Sequence, residues 1–340
     1  MRRSSLSPFW LVLLLITFLL TGCKKPPPPN QTAAPEVSAL LPGLVASAPA
    51  PASAIAPAAS APAADRPSFL WKIDGTPPSW LLGTIHVPDP RVSDLPSSIT
   101  QALASADMVL TEIPMDSASQ LSMAPLLMLP KGKTLKSVLP EALYRRLERA
   151  FLAKGFPLEP LSSLKVWAMA AHVVLLDRML VLATQKPLDA WLYEQAQSSG
   201  KKVGALETPQ EQVAAFDGMS TAEQIHMLDK TLEQREENGK EGKDPIETLL
   251  VAWLSGSEEK MNATILDEYD PKDPIDKKMM KRLLLDRNEV MAERIAAKLK
   301  ASPGQSMLFA VGTAHLVGVD SVVAKLQRRG VKVARAGAAP

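Results

Sequence analysis

Cysteine is almost absent: Cys23 is the only one in 340 residues. The globular part of the chain therefore has no disulfide, no thiol nucleophile and no Cys-ligated metal. Histidine is nearly as scarce, with four in the whole chain, and aromatic residues make up 5%. A large excess of either charge is missing too. The 38 basic and 36 acidic residues leave a net +2, which gives no basic surface on which to expect nucleic acid. No apolar run reaches the roughly 20 residues that a membrane-spanning helix needs; the longest, Phe9 to Leu20, has about 12. There is no H-E-x-x-H helix and no G-x-S-x-G elbow. Gly132-Lys133-Thr134 looks like the tail of a phosphate loop, but Leu127 stands where that loop requires glycine.

What is present begins at the N-terminus. Arg2 and Arg3 precede the short apolar run, which ends in Leu20-Thr21-Gly22-Cys23. A basic start, a short apolar core and small residues predict a cleaved signal peptide over residues 1–22. Leu-Thr-Gly-Cys resembles the lipobox of bacterial lipoproteins, in which the cysteine is acylated and becomes the first mature residue. An ordinary secretory signal with a chance cysteine is the alternative. Several acyl chains on Cys23 would hold the protein stably on a membrane, where a single chain would not. Lys24 stands where an aspartate would resemble an inner-membrane retention signal, so the expected location is the outer membrane, facing the periplasm. Residues 23–66 are Ala-, Pro- and Ser-rich, with Glu36 and Asp65 the only acidic residues, and too poor in apolar bulk to offset ordering entropy. They read as a tether, reaching on the order of 120 Å at ~3.1 Å per residue in the Pro-rich limit.

Residues 67–336 are enough for a large α/β domain. Short apolar runs bounded by breakers predict buried strands at 79–82, 108–110, 203–206 and 307–311. A hairpin strand is expected at 69–73 and a last strand at 331–334. Helices are expected at 96–106, 140–154, 161–182, 188–199, 209–216, 222–237, 246–255, 275–300 and 319–330, with a mobile loop at 238–242. The fold class is α/β: a mixed or parallel sheet with paired Gly-x-x-His strand ends and a large helical insertion over about 115–300.

Two segments echo each other: Leu82-Gly83-Thr84-Ile85-His86 and Val311-Gly312-Thr313-Ala314-His315. Half of the histidines thus share one setting, at a strand's carboxyl end beside a permissive glycine, where α/β sheets place ligands. Glu112 and Glu207 end two other strands in the same way. Two imidazoles with one or two carboxylates form an N/O set suited to Mn, Co, Fe or Zn with a position open for water. A spare carboxylate would then serve as general base. His172 reads as a core histidine and His226 as a surface one, and Arg287 as either a solvated charge or a group orienting a carboxylate.

At these residues the chain resembles the TraB/PrgY/GumN family, which includes the Tiki proteins. The resemblance rests on Leu70-Trp71-Lys72, Leu82-Gly83-Thr84-Ile85-His86, the acidic strand ending at Glu112, Leu206-Glu207-Thr208, Gln212, Arg287-Asn288 and Gly312-Thr313-Ala314-His315. It implies a metal-dependent hydrolase of the Tiki metalloprotease kind, with His86, His315 and Glu112 as ligands of a divalent ion (Mn, Co or Zn). Glu112, Glu207 and Arg287 would be the catalytic set, with Gly83, Thr84, Gly312, Thr313 and Asn288 in support. Ala205 is an insertion relative to the compact Gly-Leu-Glu expected, which bears on Glu207. The reading is a peptidase tethered by Cys23 and acting on peptide or envelope substrates; a non-catalytic metal- or ligand-binding regulatory lipoprotein of the same fold is the alternative.

Overall fold

The computed structural model describes residues 66–182, 184–267 and 269–336. The expectations for the signal peptide, Cys23 and the tether lie outside the described residues. The chain opens with a hairpin, β1 (Leu70–Ile73) and β2 (Ser79–Thr84), followed by α1 (Ser97–Ser105) and β3 (Met108–Thr111). Helices α2 (Glu141–Leu152), α3 (Val166–Val174) and α4 (Leu188–Ser198) lead to β4 (Lys202–Ala205). Then come α5 (Pro209–Asp217), α6 (Thr221–Glu241), α7 (Pro245–Leu254), α8 (Glu258–Asp267), α9 (Pro274–Met280) and α10 (Asp286–Ala301). The chain closes with β5 (Met307–Gly312), α11 (Val322–Arg328) and β6 (Val333–Arg335). Among the described residues no helix is long and apolar enough to cross a membrane.

The strands form one mixed sheet in the order β4-β3-β5-β2-β1-β6. The run β4, β3, β5, β2 is parallel, while β1 lies antiparallel to both β2 and β6. Helices cover a parallel sheet on both faces, which is why β5 is buried at every residue and β2 at all but Trp80. Parallel alignment sends the carboxyl ends of four strands to the same edge. That edge carries the site.

Local chemistry sets most boundaries. Thr208 and Glu211 form a reciprocal capping box at the start of α5, and Ser220 and Glu223 do the same for α6. Asp244 caps α7 with Pro245 at its first position. The helix expected over 161–182 is broken. Lys165 is extended and donates its N–H to the Leu127 carbonyl, and Met128 bridges Leu164, so the backbone at 164–165 pairs with a loop before α3 starts. At Leu175, with φ −91° and ψ 2°, the chain leaves the α region for a 3₁₀ turn over Leu176–Arg178.

The loop expected at 238–242 is the end of a helix. α6 runs on to Glu241 and closes at Gly242, which sits at φ 65° with its N–H on the Asn238 carbonyl. The helix expected at 275–300 is interrupted by a π turn over Lys281–Leu285. The one expected at 319–330 starts only at Val322, because Ser321 caps it by accepting the Ala324 N–H. The strand expected at 203–206 begins one residue earlier, at Lys202.

Candidate functional site

β2 and β5 are neighbours, paired Gly83 to Val311 and Thr84 to Gly312. The two Gly-Thr-x-His segments therefore leave the sheet side by side. A Cβ on Gly83 would come within 2.7 Å of Thr313 Oγ1 and 2.8 Å of Phe69 Cβ, so only glycine lets the segments pack this closely. Thr313 Oγ1 donates to the Thr84 carbonyl at 2.9 Å and ties one motif to the other.

Both imidazoles are buried, His86 at 6% and His315 at 0% exposure. Each ring is held through Nδ1. His86 Nδ1 lies 2.7 Å from Asp189 Oδ2, a carboxylate that also accepts from the Thr84 hydroxyl. His315 Nδ1 lies 2.6 Å from Asn288 Oδ1, while the Asn288 amide nitrogen donates to the Asp320 carbonyl. Both partners are acceptors, so Nδ1 carries the proton in each ring and Nε2 is turned to the far side. There the two Nε2 atoms meet one oxygen: Glu112 Oε1 is 3.7 Å from each. His315 Nε2 is buried with no hydrogen-bond partner.

Glu112, at the end of β3, is the hub. Its Oε1 accepts the Gly312 N–H at 2.7 Å, and its Oε2 accepts from Arg287 at 2.6 Å and from Gln212 at 2.9 Å. Glu207, following β4, takes Arg287 through both oxygens, at distances from 2.7 to 3.1 Å, and Gln212 at 3.3 Å. Arg287 lies in the first turn after the π segment and also reaches the Leu283 carbonyl. It is a buried cation shared between two buried carboxylates, so each of the three groups is ion-paired, with one negative charge in excess.

The electrostatics follow. Burial alone would push the Glu112 carboxyl up, but Arg287, His315 and His86 outweigh it and hold it well below the usual range. Burial would likewise depress His86; Asp189 and then Glu112 overcome it and raise the imidazole to about 10. His315 has no carboxylate on Nδ1. Burial and the Arg287 charge lower it to about 3, against the pull of Glu112.

Could a divalent ion sit here? Two donors about 2.1 Å from one ion stand at most about 4.2 Å apart. The 3.7 Å separations between Glu112 Oε1 and each Nε2 meet that limit, and imidazole and carboxylate are the right donor types. Carboxylate or amide support on the remote ring nitrogen is how metal-binding histidines are held. Among the described residues, no group of three or more His, Cys, Asp or Glu side chains stands in ready-made coordination geometry. The donor types and the two spacings to Glu112 Oε1 are compatible with one ion, and the three side chains would have to be drawn together to hold it.

The structure brings together His86, His315, Glu112, Glu207, Arg287 and Asn288, with Gly83, Thr84, Gly312 and Thr313 as their frame. The extra residue at Ala205 does not displace Glu207. Strand pairing continues past it, with Leu206 N on the Thr111 carbonyl and Glu207 N on that of Glu112. His172 lies apart, buried with Nδ1 2.9 Å from the Ala168 carbonyl. His226 is half-buried and faces Asp273 at 3.4 Å. Asp189 was missed. As the second residue of α4 it looks like any acid placed to favour a helix start, and only its apolar surroundings, Leu188 and Ala190-Trp191-Leu192, mark it as buried.

Fold and site together define an α/β protein with a His/Glu cluster at the carboxyl edge of its parallel strands. The chain belongs to the TraB/PrgY/gumN family, whose model matches residues 69–335. It is 29% identical over 318 residues to Metalloprotease TIKI2 of Danio rerio, covering 79% of this chain and 61% of that protein. Metalloprotease TIKI1 of Danio rerio is 29% identical over 315 residues, covering 80% of this chain and 64% of that protein. Metalloprotease TIKI1 of Homo sapiens is 28% identical over 318 residues, with shares of 80% and 62%. The chain thus spans less than two thirds of the length of these relatives. No solved structure matches the chain.

Proposed function

We propose that this chain is a metal-dependent peptidase, with His86, His315 and Glu112 holding one divalent ion (Mn, Co or Zn). One observation carries the reading: two histidines from neighbouring strands, each locked by its Nδ1, aim Nε2 at the same Glu112 oxygen. The relatives above are also named metalloproteases. The ion would supply a Lewis acid and a water of lowered pKa. The protein's own residues do the rest. Asp189 and Asn288 fix the ring orientations. Arg287 holds Glu112 and Glu207 in place, and Gln212 bridges the two carboxylates from the other side. Glu207, which makes no contact with either histidine in this arrangement, is assigned the proton-transfer role beside the site.

The test is metal stoichiometry and peptide-library hydrolysis for wild type, His86→Ala, His315→Ala and the double variant. Ligands of one ion act as a unit, so each single loss should abolish activity about as far as the double. Full metal occupancy in the double variant would end the shared-ion reading.

We propose further that acylated Cys23 is the membrane anchor, on the outer membrane facing the periplasm, and that residues 24–66 are its tether. Membrane fractionation of Cys23→Ser checks this. The variant should fold normally and appear in the soluble fraction, because multiple acyl chains supply the stable attachment; retention of the processed variant after a salt wash would refute it.

A further inference from the structure

A cleft open to solvent lies against His86; its enclosed part is about 40 Å³, and about 430 Å³ counts its open mouth. Its walls are Ile85, Val87, Leu249, Trp253, Met261 and Ile265, from the β2 end, α7 and α8. Its floor is built by both Gly-Thr motifs: Thr84 and His86 from one, and Gly312, Thr313 and Ala314 from the other. The Trp253 indole is fixed in place, since its Nε1 donates to the Gly83 carbonyl at 3.0 Å. Among the described residues of the lining, His86 is the only titratable one. Glu112, Glu207 and Arg287 are not part of it, so the edge of the sheet has a charged part and an apolar part with His86 at the border.

Resting on the peptidase reading above, we propose that this cleft is the specificity pocket, taking a large apolar side chain (leucine, methionine or phenylalanine) next to the scissile bond. A lysine side chain would meet no countercharge among the described lining residues, and either a lysine or a glutamate would lose hydration that so apolar a lining replaces poorly. An apolar side chain gains by leaving water. Pockets of this kind discriminate in steps of roughly 10- to 200-fold per methylene-sized change. Expected, then, is a preference of about 10- to 100-fold in kcat/KM for leucine, methionine or phenylalanine over alanine at one position, and more over lysine or glutamate.

Leu249 is half-buried at the edge of the core and lines the cleft, so a larger side chain there can extend into the cleft. Leu249→Trp should fill the cleft and move the preference to alanine and glycine, with an unchanged melting temperature. Ile265→Val should widen it and favour phenylalanine. The experiment uses the full chain supplied with Mn, Co or Zn and a peptide library varied one position at a time. In parallel, saturation-transfer NMR reads binding of N-acetyl-leucine amide and N-acetyl-lysine amide to the same proteins. Leucine-selective binding lost in Leu249→Trp supports the pocket even if no peptide is cut, in which case the peptidase reading alone falls. Hydrolysis with no side-chain preference, or with a preference that Leu249→Trp leaves unchanged, overturns the pocket and leaves the peptidase reading standing. Absence of both preference and amide binding overturns it as well.

Discussion

Glu112 shows how much one residue can hold. Its two oxygens receive a backbone N–H, a guanidinium and an amide, and face two imidazoles. Glu112→Gln can keep the Gly312 N–H on its one oxygen, but its new NH₂ would then point at the Arg287 and Gln212 donors. Breaking a buried pair by removing one partner destabilises by about 3–5 kcal/mol. A loss of up to that size in urea titration is therefore expected; Glu112→Gln with Arg287→Met should cost more, since Glu207 then loses its cation, but less than the sum of the two single losses. Strictly additive losses would show that the pair is not coupled. At this scale the sequence was partly legible. The repeated Gly-Thr-x-His spacing singled out two histidines of four, and strand-end position singled out both glutamates. Asp189 was hidden because a helix-start acid looks the same whether it faces solvent or an imidazole. Gln212 was visible only through the resemblance.

Elements were read well where composition alone decides them and poorly where a partner does. Strands announced themselves as short apolar runs stopped by polar residues, and each lies within a residue or two of its expected place. The break at 175–178 and the delayed start of α3 depend on which carbonyls lie nearby, and no local propensity encodes that. Gly242 was taken for part of a loop, although a glycine after a long polar helix is also the usual way to end one. The start of α9 carries a pH signature. Asp276 is buried, and burial, with Asp273 and Asp270 adding to it against the Asp270 N–H and Lys230, raises its carboxyl from 3.8 to about 6. Between those values the folded chain keeps a proton that the unfolded chain has released, so stability falls as pH rises through the window. Asp276→Asn should be more stable than wild type at pH 7 by on the order of 1–3 kcal/mol, the difference vanishing below about pH 4. Denaturation at pH 4, 5.5 and 7 checks it; a constant difference across the three would assign the effect to packing.

For the molecule as a whole, the fold class was legible and the strand order was not. Nothing local says that β5 inserts between β3 and β2; only the matching of the two histidine motifs hinted at it. The edge of the domain is better defined. Phe69 is buried and Pro67 packs against Gly256, whereas the Arg66 contact with the Asp94 carbonyl is exposed. A chain beginning at residue 67 should therefore melt within about 2 °C of the full-length protein by calorimetry; a larger drop would place part of residues 24–66 in the fold. The strand order has one more consequence, in time. The strand between β3 and β2 is made after both of them, and the bond joining Thr84 to Thr313 spans 229 residues. Until residues 307–315 have emerged, the β1–β2 hairpin and the β3–β4 pair face a gap, and neither Glu112 nor His86 has His315 beside it. Closing so long a span is slow. Until then the growing chain lacks the assembled His/Glu cluster.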